Sequence, residues 1–570
     1  MTRAHPTGSG PDSKDRLLVH AAAVAGVALL ASWAGIFNQF AFDDVHLIQG
    51  NTRLHALANW WEIVASPFWP PPFSQDLYRP VTSLLLALQY GIGGGDPIVF
   101  RLVSYGLYAA TAVAVLVLAR LWLTPGTSLA VALLFAVHPV HVEAVALGAG
   151  QSELMVALLA VLMALRYVRA RRLGVLTGRD TAVLAGLYLV AALAKEQGLL
   201  VPGLLLLIEA VPPSGVASLP WRRWAPPYLA FAAAGAVVLL ARTAVLGGEV
   251  TGTFPAEALV GLGVAGRALT MLPVVIEWGR LLTWPLHLQA DYSPQEIVSA
   301  TGFGVGQAIG MLLLAGAAVA AWWGRRRVPA LAFGLGWCAV ALLPVSNLLL
   351  PTGIVLAERT LFLPSVGFLL AAGGASAWIV AARAGTSAGA LRWMIGLLVI
   401  AGGVRSAERH RIWRNEAFFS VRTVQDAPLS YRAQRAYGEV LFGLGQDSLA
   451  LAAYRRALDL APTGHGWRVR NDLARRFRVM QMAGAEAAQL AASLAERPDQ
   501  EDTRGYLVAA LLVLGRYKEA MAQADSALAR GGNPAAFQRI RVLADSADRA
   551  RAPAGSVRVG VTAAPIRHGR

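Results

Sequence analysis

The sequence predicts an all-α protein in two parts, a polytopic membrane helix bundle of about 11 spans followed by a soluble solenoid of paired helices. Three observations predict it. The 570 residues are 56% hydrophobic and 15% charged with a mean hydropathy of +0.51, outside the range of soluble domains of ordinary composition. Apolar runs near the roughly 20 residues that cross a hydrocarbon core recur from Leu17 to about Ile400 and then stop. The polar remainder carries a repeat of about 34 residues, the period of stacked helical hairpins.

The spans fall near 17–37, 98–121, 127–147, 150–168, 181–194, 198–213, 226–243, 301–323, 329–350, 361–383 and 393–404. The first run is too long for a signal peptide and lacks a small-residue cleavage site, so it reads as a retained anchor. Segments 80–94 and 264–288 are apolar but interrupted by Gly, Pro, Arg or Trp, which suits helices lying at the interface. The expected organisation is a disordered cytoplasmic N-terminus over 1–16, a transmembrane domain over 17–404, a repeat domain over 405–544 and a disordered tail over 545–570.

The net charge of +16 is gathered in clusters between apolar runs, the mark of membrane topology and not of a nucleic-acid surface. Cys338 is the one cysteine and lies within an apolar run, which excludes a disulfide framework and a cysteine-ligated metal. With Lys14 and Arg16 inside, the even connections also fall inside and hold Arg120, the Arg166 to Arg172 cluster, Arg222-Arg223, Arg325 to Arg327 and Arg383. An odd number of crossings then places the tail outside, in a multi-pass protein of an inner or plasma membrane.

The outward connections collect the unusual polar residues. They hold Asp43-Asp44, Tyr78-Arg79, His138, His141 and Glu143 in HPVHVEA, Gln151 and Glu153, Lys195-Glu196-Gln197, Asp291-Tyr292-Ser293 and Glu358-Arg359. Ionisable groups at membrane depth are costly and usually line a site, so their gathering on one side says more than any member. Asp43-Asp44 alone reads equally as a solvated helix end or as a carboxylate whose neighbour raises its pKa. His138, His141 and Glu143 could be imagined on a metal, but Pro139 interrupts the helix that would align them, and no metal is expected. Of 50 Lys plus Arg only three are lysines, Lys14, Lys195 and Lys518. Lys195 is therefore either a compact cation needed by a site or the ion-pair partner of Glu196. Arg359 is either a phosphate ligand or the partner of Glu358.

FAFDDVHLIQGN, YRPVTSLL, LLFAVHPVHVEAVALGAGQSEL, AKEQG, LHLQADYS and SNLLLPTGIVLAERTLFLPSVGF, in that order, resemble the TMTC family of transmembrane and tetratricopeptide-repeat O-mannosyltransferases from about Phe40 to Gly367. The resemblance implies a GT-C membrane fold that takes a sugar from a polyprenyl or dolichyl phosphate and attaches it to a protein hydroxyl. It places the catalytic carboxylate at Asp43-Asp44. The sequence departs from the family at Gln151, where a basic residue is expected, and at Arg101, where histidine is expected.

That chemistry asks for a carboxylate to accept the acceptor's hydroxyl proton and cations to stabilise the departing phosphate, without a cofactor. Asp43 or Asp44 is the expected base, with Lys195, Arg359 and Arg79 expected at the phosphate. His138, His141 and Glu143 would shape the sugar pocket, and Asp291 would be a supporting acid. Tyr78, Glu153, Glu196, Gln197 and Glu358 complete the expected substrate-binding set. A single displacement inverts the anomeric configuration.

In the tail, residues 431–464 follow the tetratricopeptide pattern with Gly438, Leu441, Gly445, Ala450, Tyr454, Ala457 and Pro462. A second unit near 501–534 keeps Leu507, Gly515, Tyr517, Ala520 and Ala527, and Pro462, Pro498 and Gly532 stand 36 and 34 residues apart. Such stacks bind extended peptides or partner proteins, here an acceptor protein. The expected partners are thus a polyprenyl-phosphate-linked sugar, an acceptor protein and membrane lipid, with no nucleic acid. Two rival readings are a non-catalytic membrane-anchored scaffold for envelope proteins and a transporter of a lipid-linked substrate.

Overall fold

The computed structural model describes residues 11–71, 73, 75–217, 219–248, 256–292, 295–382 and 388–551. Ser293 and Arg383, both named above, lie outside them. The described residues are helical without strands and divide into two compact units, 1–440 and 441–570.

Each of the eleven expected spans is largely helical, though 127–147 is broken in two and 329–350 is α-helical only to Leu342. Among the described residues, six helices are long and apolar enough to cross a membrane: Lys14–Gly35, Pro97–Ala119, Pro226–Val245, Val305–Arg327, Glu358–Ala382 and Gly389–Ile412. Pro125–Ala136 and Pro139–Ala146, bent by 46° where Pro139 breaks the helix, make a seventh if taken as one span. The expected number of about 11 therefore holds for helices, while six or seven have the length and composition of a span. The difference has a physical cause. Gly178–Ala194, Val201–Ala210 and Pro329–Leu342 have 17, 10 and 14 residues, and Gln151–Arg172 carries Glu153 at its start and four arginines toward its end. That last helix is buried along most of its length, so protein and not lipid surrounds it.

The core of the first unit gathers on Pro97–Ala119, which packs against Pro11–Ser32, Pro125–Ala136 and Gln151–Arg172. Tyr105, Tyr108, Phe135, Tyr167, Phe333, Trp337 and Phe362 fill it. Val305–Arg327 stands at the periphery with Leu312, Val319 and Trp322 more than half exposed, as a lipid-facing helix requires. Without a hydrophobic drive between helices in lipid, small residues permit the closest contacts. Pro329–Leu342 and Phe362–Ala382 meet in this way: a Cβ on Gly334 would collide with the Gly367 carbonyl, and one on Gly367 with that of Gly334.

The polar residues 11–16, expected outside the first span, already belong to Pro11–Ser32. Residues 405–440 sort with the first unit. In the second unit Trp467–Val479, Ala483–Glu496, Glu501–Val513, Tyr517–Ala529 and Pro534–Arg551 each pack on the next, the serial arrangement of a helical-hairpin stack. Small residues mark the contacts, with Ala450, Ala457, Ala520 and Ala527 buried as the repeat pattern expects. The last helix runs to Arg551 and so takes in residues 545–551, expected to be disordered; 552–570 lie outside the described residues.

Candidate active site

After the first membrane helix the chain turns at Phe42, whose φ of 55° is left-handed for a residue with a side chain. Such a conformation costs on the order of 1–3 kcal/mol and persists only where its surroundings dictate it. They do: the Phe42 amide donates to Glu416 Oε2 at 2.6 Å, and its ring lies 5.1 Å from that of Phe419 and 6.2 Å from that of Trp413.

Beyond this turn the two adjacent aspartates go to different places. Asp44 is fully buried. It accepts from the amides of Gly148 at 2.8 Å and Ala149 at 2.9 Å and pairs with Arg101 Nη1 at 3.4 Å. Burial pushes its carboxyl upward, against the pull of Arg101 and the two amides. The side chain of Asp43 keeps 15% of its surface exposed, and its Oδ2 lies 2.8 Å from Arg359 Nη1.

Arg359 ties the first loop to residues far along the chain. Its Nη1 lies 3.3 Å from Glu143 Oε1, while its backbone amide donates to Glu143 Oε2 at 2.9 Å. Glu358 turns away from its neighbour to Arg409 Nη2, 3.3 Å distant, and accepts from the Tyr292 hydroxyl at 3.4 Å. Arg409 also reaches Asp426 at 3.1 Å. The expectation of an Arg359–Glu358 pair is thereby replaced.

Lys195 likewise pairs with Glu153 and not with Glu196. Burial lowers the Lys195 ammonium, with Glu153 opposing and Arg79 and Arg359 close enough to repel it. Glu196 instead receives Arg79 at 2.8 Å and Arg242 at 3.3 Å. Burial alone would raise its carboxyl, but the two guanidiniums hold it down to about 2. Gln197 is buried, and among the described residues its amide nitrogen and oxygen have no partner. Tyr78 is buried ahead of the Pro80–Gly93 helix.

Neither histidine bonds to the charged groups of this cluster among the described residues. His138 accepts from the Val140 amide and reaches the Leu282 carbonyl. His141 sits between the Tyr108 and Ser365 hydroxyls. Both ring nitrogens of each have a partner inside the bundle, and neither histidine lines the cleft that Arg359 lines. Gln151 forms a two-way amide pair with Gln89, both contacts at 2.8 Å, a neutral arrangement in which a basic residue would have no counterion.

Next to the Asp43–Arg359 pair opens a narrow cleft, lined by Phe42, Glu143, Arg359, Asp291, Glu257 and Arg432 together with residues 353–357. Asp291 therefore reaches the cleft wall, held by Ser430 and Arg432. Arg432 also pairs with Glu257, which accepts from the Tyr431 hydroxyl at 2.6 Å. Sequence reasoning passed over Glu257 and Arg432, as well as Arg242 and Arg409. For Arg242 a signal existed, since it is a charge inside the apolar Pro226–Val245 run.

No protein-family model matches the chain. Among curated proteins, human TMTC3, a protein O-mannosyl-transferase, is 32% identical over 197 residues, 33% of this chain and 21% of that protein. Mouse TMTC4 is 28% identical over 76% of this chain and 65% of its own length, and human TMTC1 is 25% identical over 78% and 55%. This chain is similar to TMTC proteins. It spans between 21% and 65% of the length of these three. Among solved structures, the Archaeoglobus fulgidus oligosaccharyltransferase, tethered to an acceptor peptide, aligns with a TM-score of 0.41 at 15% identity, over 69% of this chain and 55% of that one. The segments that resemble TMTC proteins are those that supply Asp43, Glu143, Lys195 and Arg359 to the cluster.

Proposed function

We propose that the chain is a membrane glycosyltransferase that moves a sugar, mannose by the likeness to its relatives, from a polyprenyl-phosphate donor to a protein hydroxyl on the extracytoplasmic face. The observation that carries this reading is Asp43, a partly exposed carboxylate held 2.8 Å from the Arg359 guanidinium beside a cleft. A base and an anion-binding cation at that spacing are the two groups that phosphate-leaving sugar transfer requires.

Asp43 is the base. It takes the proton of the acceptor hydroxyl as that oxygen bonds to the anomeric carbon, while the bond from that carbon to the phosphate oxygen breaks and the polyprenyl phosphate leaves with the electron pair. Attack opposite the departing phosphate inverts the anomeric centre. Asp44, closed in by two amides and Arg101, positions the loop, and Lys195 and Arg79 add positive potential behind Arg359. The repeat unit is the place for a protein partner, the acceptor among them.

Helix Gln151–Arg172 supports the assignment of sides. Glu153 stands at its start and Arg171-Arg172 at its end, 22 residues in all, a rise of about 33 Å and so about one hydrocarbon core. The ion-pair cluster and the basic cluster fall at opposite ends, and basic clusters favour the cytoplasm.

The test supplies the reconstituted full chain with polyprenyl-phosphate mannose and a Ser/Thr-containing acceptor peptide. Asp43→Asn should lower transfer by about 10²- to 10⁴-fold with the protein still folded. Undiminished transfer in that variant would overturn the assignment of the base, and absence of transfer in the wild type with any polyprenyl-linked sugar would favour a scaffold.

A further inference from the structure

The cations of the cluster are already spoken for. Arg79 and Arg242 hold Glu196, Lys195 holds Glu153, Arg101 holds Asp44, Arg409 holds Glu358, and Arg359 holds Asp43 and Glu143. A lipid-linked phosphate entering here finds no vacant positive charge among them and must displace a carboxylate from one.

The geometry selects which. Arg101 and Arg409 are sealed, with side chains 1% exposed. The carboxylate on Lys195 is equally closed off. Glu196 is more open but is gripped by two guanidiniums, and neither Arg79 nor Arg242 lines the cleft. Arg359 and Arg432 both line the cleft, but Arg432 is bound by two carboxylates on the cleft wall, Glu257 and Asp291, whereas Arg359 and Asp43 form a pair that remains solvent-accessible on both sides. Arg359 also keeps a second hold: Glu143 binds both its backbone amide and its guanidinium. Loss of Asp43 leaves the guanidinium in place with its charge partly uncompensated.

We propose that Arg359 is an exchange site at which the phosphate of the incoming lipid displaces Asp43, so that donor binding itself releases the carboxylate that then acts as base. Asp43 and the phosphate compete for one guanidinium, and Glu143 is the positioning residue that holds it for either partner. Before the donor arrives, the Asp43 carboxylate is engaged by the Arg359 guanidinium. Once the phosphate has taken Arg359, the carboxylate stands free beside the acceptor cleft. The coupling is reciprocal, as linkage requires: whatever removes the negative charge of Asp43 strengthens phosphate binding. This inference rests on the proposed assignment of Asp43 and goes beyond it.

The test is a binding measurement. A short-chain polyprenyl monophosphate is titrated into the detergent-solubilised full chain, with the uncharged polyprenol of equal length as the control for binding of the lipid tail. If Arg359 is occupied by Asp43 about nine-tenths of the time, Asp43→Asn should bind the phosphate about tenfold more tightly than the wild type. Polyprenol binding should not change, and the gain should vanish in Asp43→Asn/Arg359→Gln. Asp43→Ala removes the same charge with a different shape and should repeat the result if Asp43→Asn folds poorly. Unchanged or weaker phosphate binding in the charge-removed variants would overturn the exchange while leaving the base assignment to its own transfer assay. A gain that survives loss of Arg359 would also overturn it.

Discussion

The two units of this molecule use charge in opposite ways. In the tail many ion pairs are local and exposed: Arg516 with Glu519 and Arg549 with Asp545 lie three and four residues apart, and Arg497 with Asp499 two. In the membrane body the pairs of the cluster join residues distant in sequence, and they range from the sealed Asp44–Arg101 to the partly exposed Asp43–Arg359. Asp43 meets Arg359 across 316 residues, the Arg359 amide meets Glu143 across 216, and Asp44 meets Arg101 across 57. Exposed pairs are worth little and keep a surface soluble. Buried ones must offset the desolvation of both partners, and removal of one partner costs far more than the pair contributes. The difference teaches where selection placed charge for a task and where it placed charge for solvation.

Breaking the buried side should give the largest effects. Asp44→Asn leaves Arg101 facing a neutral amide in a sealed site, so detergent-solubilised protein should lose about 3–5 kcal/mol of stability by thermal unfolding, whereas Asp43→Asn should unfold close to the wild type. Equal melting of the two variants would erase the distinction between adjacent aspartates. Next, Lys195→Met should destabilise strongly by stranding Glu153, and the double variant Lys195→Met/Glu153→Leu should recover most of the loss; a double variant as unstable as the single would mean that the pair does more than neutralise itself. A smaller effect is a pH dependence. The carboxyl of Glu196 is held at about 2 against a reference of 4.5. A depressed folded value means that its stabilisation is complete above pH 4.5 and is lost as the pH falls toward 2. Glu196→Gln should flatten the stability profile across that window. The smallest effect should come from the tail, where Arg516→Ala should stay within about 0.5 kcal/mol of wild-type stability in a melt.

The helices were legible because lipid imposes length and hydropathy on a sequence directly, and each of the eleven apolar runs is helical, one of them broken at Pro139. Which of them meet lipid was less legible, since Gln151–Arg172 owes its burial to neighbours that no local pattern reveals. The candidate site was legible as a set of residue types out of place, and Asp43, Glu143 and Arg359 do converge. Its pairings were not. Lys195 and Glu196 are adjacent in sequence yet take different partners, and so do Glu358 and Arg359, because extended backbone at Lys195 and at Ala357 leads into short turns there. The partners of the histidines were not legible either, because Tyr108 and Ser365 come from other helices to meet His141.

The long reach of the Asp43–Arg359 contact also bears on biogenesis. At roughly 5–20 residues per second, a ribosome adds the 316 positions that separate them in about 15–60 s. For that interval the acidic loop is without its counterion, and water must serve in its place. A product truncated before the Glu358–Ala382 helix keeps the carboxylate and lacks the guanidinium, so the cluster closes only when the late spans are in the membrane.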